Sequence, residues 1–392
     1  MGLLSGIKKN VLVLGVVSFL TDVSSEMIFP ILPVFLTVVL GVGKELIGLI
    51  EGIADSAASL LDIFAGYFSD KSGNRKKFVI AGYGLSSLSK LGIALASAWP
   101  AFLLFRGTER VGKSLRTSPR DALIAASTDK AVRGKAFGLH RAMDTLGAIV
   151  GPAIAYVILS ALGSGEGAYR TVFYVALAPA FLAVLVIWFF VREPNAKTAP
   201  KAVTRLGFWQ SLKLLSTGYK KFLGISCLFS LSYFSFALLI VRASEIGVAA
   251  QDILLVYILY NVVYAAFSVP LGRLSDRVGR KPVIAASFFL YGLVVLGFAF
   301  ASSLLHVAML FAVYGLFVAA DESVNKAYIS DITAEKQRGI ALGAYNTAVG
   351  AVYLPASVVF GVLWASFGAV PAFCSAAAVA AIAGVAMVFY TK

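Results

Sequence analysis

The chain is poor in charge, cysteine and histidine. Of its 392 residues only 14% are charged and 59% are hydrophobic, with a mean hydropathy of +0.86; soluble domains hold about a quarter charged residues. So little charge cannot cover a surface in water, which excludes a soluble globular protein. Cysteine is limited to Cys227 and Cys374, both inside apolar stretches of different halves, so neither a disulfide framework nor a zinc spacing exists. The two histidines, His140 and His306, lie far apart in the sequence, and no resident metal is expected. Long polar segments are also scarce, with a single one near 192–221. No small-residue cleavage pattern follows the first apolar run, so the first span is expected to stay in the mature protein.

What the chain does have is a series of apolar runs of about 20 residues, the length that crosses about 30 Å of hydrocarbon as a helix. Spans are expected near 11–39, 46–69, 78–98, 101–125, 136–160, 171–191, 222–245, 252–274, 283–302, 305–330, 340–365 and 370–390. That predicts an all-α integral membrane protein of twelve transmembrane helices, with the lipid bilayer as its permanent partner. The net charge of +14 is segregated by loop. One alternate set holds Lys71, Arg75, Lys76 and Lys77; Lys130, Arg133 and Lys135; a dense series from Arg192 to Lys221; Arg273, Arg277, Arg280 and Lys281; and Lys336 and Arg338. The other set offers little beyond Lys44 and Arg170. By the positive-inside rule the first set and both termini are expected in the cytoplasm of a cell (inner or plasma) membrane. The charge thus orients the protein and attracts anionic lipid, and no nucleic-acid partner is expected.

The polar stretch divides the chain into an N-terminal six-helix bundle (1–191), a cytoplasmic linker with a short amphipathic helix (192–221) and a C-terminal six-helix bundle (222–392). The halves repeat one another. "GYFSDKSGNRKK" at 66–77 returns as "GRLSDRVGRKP" at 272–282, and "TDKAVRGKAFG" at 128–138 returns as "TAEKQRGIALG" at 333–343, both about 205 residues later. Duplicated halves of six spans are the architecture of a large class of secondary transporters.

The glycine, aspartate, glycine and basic pattern between the second and third spans of each half resembles the signature loop of the major facilitator superfamily, and the likeness covers the whole chain. The second copy has Gly272, Leu274, Asp276, Arg277, Gly279, Arg280 and Lys281; the first keeps Gly66, Asp70, Gly73 and Arg75 but has Phe68, Lys71 and Asn74 where the pattern differs. The resemblance implies pseudo-symmetric bundles with a substrate cavity between them, and a conformational gate latch at Asp70, Arg75, Asp276 and Arg280.

"RGTERVGKS" at 106–114 carries the spacing of a phosphate-binding loop. That loop needs a strand and a soluble sheet around it, whereas this string sits inside a span, so no nucleotide is expected. The superfamily commonly carries an arginine in the fourth helix, and Arg106 matches that place. Arg106, Glu109, Arg110, Lys113 and Arg116 recur at three and four, which puts them on one stripe of a membrane helix. Charged groups in a span are functional hypotheses by default. Arg116, Arg120 and Asp121 are expected near the cytoplasmic end, where they could simply snorkel.

The opposite charges stand in neighbouring spans. Asp22 and Glu26 share one face of the first, ahead of Pro30 and Pro33, which predict a kink. Glu51, Asp55 and Asp62 share one face of the second, and Lys90 sits deep in the third. In the fifth span Gly147, Gly151 and Pro152 resemble an antiporter-associated motif of the superfamily, and glycines four apart let helices approach closely. His140, Arg141 and Asp144 add a titratable set to that helix. The C-terminal half offers Tyr233, Tyr257, Tyr260, Asn261, Tyr264, Asn325, Tyr345 and Asn346 as cavity candidates.

These features predict a transporter, not an enzyme, that exports a small molecule by alternating access in exchange for protons, working as a monomer and driven by the proton gradient with no bound cofactor. Burial disfavours the charged form of a carboxylate, so Asp22 or Glu26 could take a proton from one side and release it when a basic neighbour such as Arg110 approaches. Three alternatives stay open: a divalent metal ion as cargo on Asp22, Glu26, Glu51, Asp55 and His140; an anionic solute on Arg106, Arg110 and Lys113; and a transport-inactive sensor.

Overall fold

Fourteen helices are defined in the computed structural model, which describes residues 7–72, 74–129, 132–193, 215–334 and 337–390. The N-terminal ones are α1 (Lys9–Ile28), α2 (Leu32–Val38), α3 (Lys44–Ser72), α4 (Arg75–Leu95), α5 (Trp99–Ala126), α6 (Arg133–Leu162) and α7 (Glu166–Phe190). The C-terminal ones are α8 (Thr217–Ser230), α9 (Phe236–Glu245), α10 (Ala250–Val278), α11 (Arg280–Phe300), α12 (Leu304–Ile332), α13 (Arg338–Phe367) and α14 (Ala369–Tyr390). Among the described residues nine stretches are long and apolar enough to cross a membrane. The expected spans outside that set are the charge-bearing α3 and α5 and the α8–α9 pair, each member of which is short. The amphipathic linker helix lies outside the described residues.

Contacts divide the chain into two compact units, Met1–Phe35 with Ala57–Ala202, and Leu36–Ser56 with Val203–Lys392. The first half of α3 therefore groups with the C-terminal helices. Glycine explains why: a Cβ on Gly48 would lie 2.3 Å from the Ser357 carbonyl oxygen, and one on Gly52 3.1 Å from the Leu354 Cα. Ser56 Oγ donates to the Gly350 carbonyl at 2.7 Å and accepts from the Leu354 N–H at 3.1 Å.

Each unit repeats one packing pattern. In the first, α4 packs on α5 and α7 while α1 packs on α6 and α7; in the second, α11 packs on α12 and α14 while α8 packs on α13 and α14. Apolar side chains fill the space between these helices, for example Val11, Leu14, Val79, Tyr83, Leu123 and Ile187 in the first unit. They also coat the outside, where Trp188, Phe189 and Phe300 are more than half exposed. Lipid, being as apolar as the core, removes the usual penalty for such a surface.

The two broken spans have different causes, one local and one supplied by other helices. Pro30 and Pro33 remove backbone donors, so α1 stops at Ile28 and α2 starts at Leu32. Between α8 and α9 the freed backbone groups find side chains instead: Tyr291 Oη donates to the Ser232 carbonyl at 2.8 Å, and the Ser235 N–H donates to Ser357 Oγ at 3.0 Å.

Candidate functional site

The first unit contains a partly open cavity of about 140 Å³ lined by α1, α4 and α5, with Lys113 exposed at its mouth. α1 contributes Asp22, Ser25, Glu26 and Ile28, followed by its C-cap Phe29; α4 contributes Lys90 and Ile93; α5 contributes Arg106, Glu109, Arg110, Lys113 and Arg116. The stripe read from the sequence is thus one wall of a real cavity, and three carboxylates meet five cations inside one unit.

Two glycine crossings place these walls. A Cβ on Gly112 would lie 2.7 Å from the Gly82 carbonyl oxygen, and one on Gly82 2.6 Å from that of Gly112. Gly112, the second glycine of the phosphate-loop lookalike, therefore seats α5 on α4, whereas Gly107 faces open space. On the opposite side, a Cβ on Gly147 would meet the Asp22 Cβ at 2.7 Å and the Phe19 carbonyl at 2.8 Å, and one on Gly151 would meet the Val23 carbonyl at 2.5 Å. The glycines of the antiporter-like motif, beside Pro152 inside α6, hold that helix directly behind Asp22.

Inside, charge is compensated unevenly. Glu109, 4% exposed, is 3.1 Å from Arg106 Nη1 and 3.8 Å from Arg110 Nε, and Ser86 Oγ donates to its backbone carbonyl at 3.1 Å. Lys90 is buried and donates to Ser24 Oγ at 2.8 Å and Ser25 Oγ at 2.9 Å. Arg106 stands over the Phe29 ring at 5.7 Å, and Arg116 over the Tyr83 ring at 4.3 Å. The snorkelling expected of Arg116 is corrected here: it is 5% exposed and faces the cavity. Arg120 pairs with Asp121 at 3.0 Å, away from the lining.

Other expected residues sit elsewhere. Glu51 and Asp55 fall in the part of α3 that groups with the second unit, so they do not join Asp22 and Glu26 on this lining. His140 Nδ1 is 3.4 Å from Asp144 Oδ2 on α6, and Arg141 is exposed. Among the described residues no group of three or more His, Cys, Asp or Glu is arranged to hold a metal ion.

The aromatic candidates of the second unit mainly pack against each other. The hydroxyls of Tyr233 and Tyr314 are 3.0 Å apart, and the Tyr233 ring lies within 6.1 Å of the Phe229, Tyr291, Phe317 and Tyr353 rings. Tyr257 and Tyr260 flank Phe236 at 5.6 and 5.4 Å. Asn261 turns its amide back to the Tyr257 carbonyl, Tyr264 donates to Glu322 Oε2 at 2.7 Å, and Asn325 donates to Asp321 and to the Tyr345 hydroxyl. Asn346 is exposed.

At the repeated loop, Arg280 Nη2 is 2.6 Å from Asp276, and its Nε donates to Asp331 at 3.1 Å. Arg277 is exposed, and Gly272 has open space around it. Gly279 holds φ +95°, a conformation that side chains disfavour, and so turns α10 into α11. Asp331, near the end of α12, was not singled out in the sequence because an acid beside a loop carries no signal of its partner. In the first copy Asn74 caps α4 by accepting from the Lys77 N–H at 3.2 Å, which explains a polar residue where the signature has a basic one. Arg75 follows as the first residue of α4; the surroundings of Gly66 and Asp70, and Gly73 itself, lie outside the described residues.

Residues 14–241 and 222–392 match the Major Facilitator Superfamily profile. An uncharacterized MFS-type transporter of Methanocaldococcus jannaschii is 40% identical over 364 residues, covering 91% of this chain and 89% of its own. Multidrug resistance protein MdtG of Rahnella sp. is 24% identical over 319 residues, 77% of this chain and 74% of its own. Among solved structures, the nucleoside transporter NupG superposes with a TM-score of 0.80 at 16% identity, over 98% of this chain and all of its own, a likeness of fold.

Proposed function

The chain belongs to the Major Facilitator Superfamily and is a secondary transporter, and we propose that it couples solute movement to protons at the α1–α4–α5 cavity. The observation that supports this reading is the gathering of three carboxylates and five cations on the lining of one cavity of about 140 Å³. Charged groups in a membrane interior persist when they handle charge. Asp22 and Glu26, the two carboxylates that α1 brings to this cavity, are the proton sites in this reading, and Glu109 serves as counter-ion to Arg106 and Arg110. Solute and protons compete for those two acids, which makes exchange the coupling mode and export the direction; the multidrug-resistance relative leans the same way. The protein works as a monomer in the cell membrane, with both termini in the cytoplasm and the proton gradient as its energy source.

Proteoliposomes with an imposed pH gradient test this. Interior pH is followed while solutes are added to the native chain, Asp22→Asn and Glu26→Gln. Solute-triggered proton movement that one of these substitutions abolishes is the expected result. Solute flux with no proton movement in the native chain would sink the proposal.

A further inference from the structure

Behind the charged cavity the first unit has a second and larger one, a groove of about 440 Å³ between α3, α4 and α5. Leu61 and Phe68 of α3, Phe78 of α4, and Val111 and Leu115 of α5 form its wall, with Lys71 and Ser72 where α3 ends. At about 3.6 residues per turn, Val111 and Leu115 fall on the side of α5 opposite Arg106, Arg110 and Lys113, and the two cavities share no residue. The groove opens outward: Phe68 is 52% exposed. An apolar groove of this size facing water would be unfavourable, whereas one facing a bilayer is covered by acyl chains.

Acyl chains alone give such a groove no preference, because one lipid tail is as apolar as another. The choice is made at the polar end. Lys71 is exposed and is the one charged residue on the lining, with no carboxylate to offset it there among the described residues. Its apolar stem can follow the wall while the ammonium reaches the membrane surface. Ser72 Oγ is turned to the Ser69 carbonyl at 2.9 Å, and Lys76 Nζ donates to the Trp188 carbonyl at 3.0 Å, so Lys71 supplies the charge of the groove. A basic end on an apolar groove matches the order of an anionic phospholipid, phosphate at the surface and tail in the hydrocarbon. The loop that follows Lys71 is also one that the charge distribution assigns to the cytoplasmic face, where anionic lipids collect. We propose that the α3–α4–α5 groove is a binding site for an anionic phospholipid, one acyl chain on Phe68, Phe78, Val111 and Leu115 and the phosphate on Lys71. A zwitterionic headgroup gains less, since it brings a cation of its own beside that of Lys71. The site is separate from the charged cavity and does not depend on proton exchange.

To test it, the full chain purified in detergent is titrated with dioleoylphosphatidylglycerol or dioleoylphosphatidylcholine and read by native mass spectrometry. One phosphatidylglycerol should be retained about fivefold more tightly than phosphatidylcholine, the weight of one basic residue at an anionic surface. Lys71→Gln should remove that preference, and Leu115→Trp, which fills the groove, should weaken both lipids severalfold. Lys281→Gln, which removes the same charge from the repeated loop of the second unit, should leave the preference as it is. If Leu115→Trp does not fold, Val111→Phe fills the same groove. Equal retention of the two lipids overturns the proposal. So does an equal loss of preference in Lys71→Gln and Lys281→Gln, which would make the attraction diffuse. Loss of preference in Lys71→Gln while both groove-filling variants bind normally would put a headgroup at the loop with no chain in the groove, and overturns it too. Retention of neither lipid by a chain that runs as a dimer would make the groove a face between copies, with the same result.

Discussion

The two units share a packing plan and fill it with different chemistry. Between α1, α4 and α5 the first unit collects eight charged side chains. Around the equivalent α11–α12 pair the second unit collects rings, with Phe229, Tyr233, Tyr291, Tyr314 and Phe317 in mutual contact. Rings satisfy one another by contact, and each well-placed pair contributes about 0.5–1.5 kcal/mol. Charges in a confined space seldom balance completely, and the remainder is what a solute can use. A duplicated scaffold can thus carry opposed charges in one copy and stacked rings in the other.

The sharpest way to break this contrast is to unbalance the charged side. Glu109→Gln leaves Arg106 and Arg110 without their buried counter-ion and should cost about 3–5 kcal/mol, read by chemical unfolding in detergent. The double variant Arg106→Gln/Glu109→Gln should recover part of the loss. An unchanged Glu109→Gln would mean that the pair carries no weight. Next, Gly112→Ala should cost about 1–3 kcal/mol by forcing α5 off the Gly82 carbonyl, while Gly107→Ala, five residues earlier in the same string, should not destabilise. Equal effects would show that α4 and α5 do not pack through Gly112.

Smaller effects probe the aromatic side and the loop. Tyr233→Phe removes one hydroxyl contact to Tyr314 and should cost about 1 kcal/mol, with solute-triggered proton flux unchanged; loss of flux would move function into the second unit. Asp331→Asn breaks one arm of the exposed Arg280 cluster. It should change stability by less than about 1 kcal/mol, and less still at high salt. A larger change would make that cluster a principal support of the second unit.

Much of this was legible in the sequence because hydrophobic runs, prolines and spacing act locally. The Pro30–Pro33 break and the α5 stripe needed only periodicity. The α8–α9 break could not be read that way, since neither proline nor glycine lies in "LSYFS"; Tyr291 and Ser357 make it affordable from other helices. For the candidate site, the charged stripe was visible, but Ser24 and Ser25 as the seat of Lys90 were not. Hydroxyls are common in spans, and only the approach of α4 to α1 gives these two a partner. The displacement of Glu51 and Asp55 from the expected cluster likewise depends on which helix Gly48 and Gly52 touch.

The Gly82–Gly112 crossing also bears on how the protein is made. α5 carries Arg106, Glu109, Arg110, Lys113, Arg116, Arg120 and Asp121, and a charged residue at mid-helix costs about 2.5–3.5 kcal/mol to pass from the insertion machinery into lipid. A nascent α5 released alone would return to water. In the folded protein α4 meets that cost in part, docked glycine to glycine against α5 with Ser86 holding the Glu109 carbonyl, so the two helices form one insertion-competent hairpin on energetic grounds.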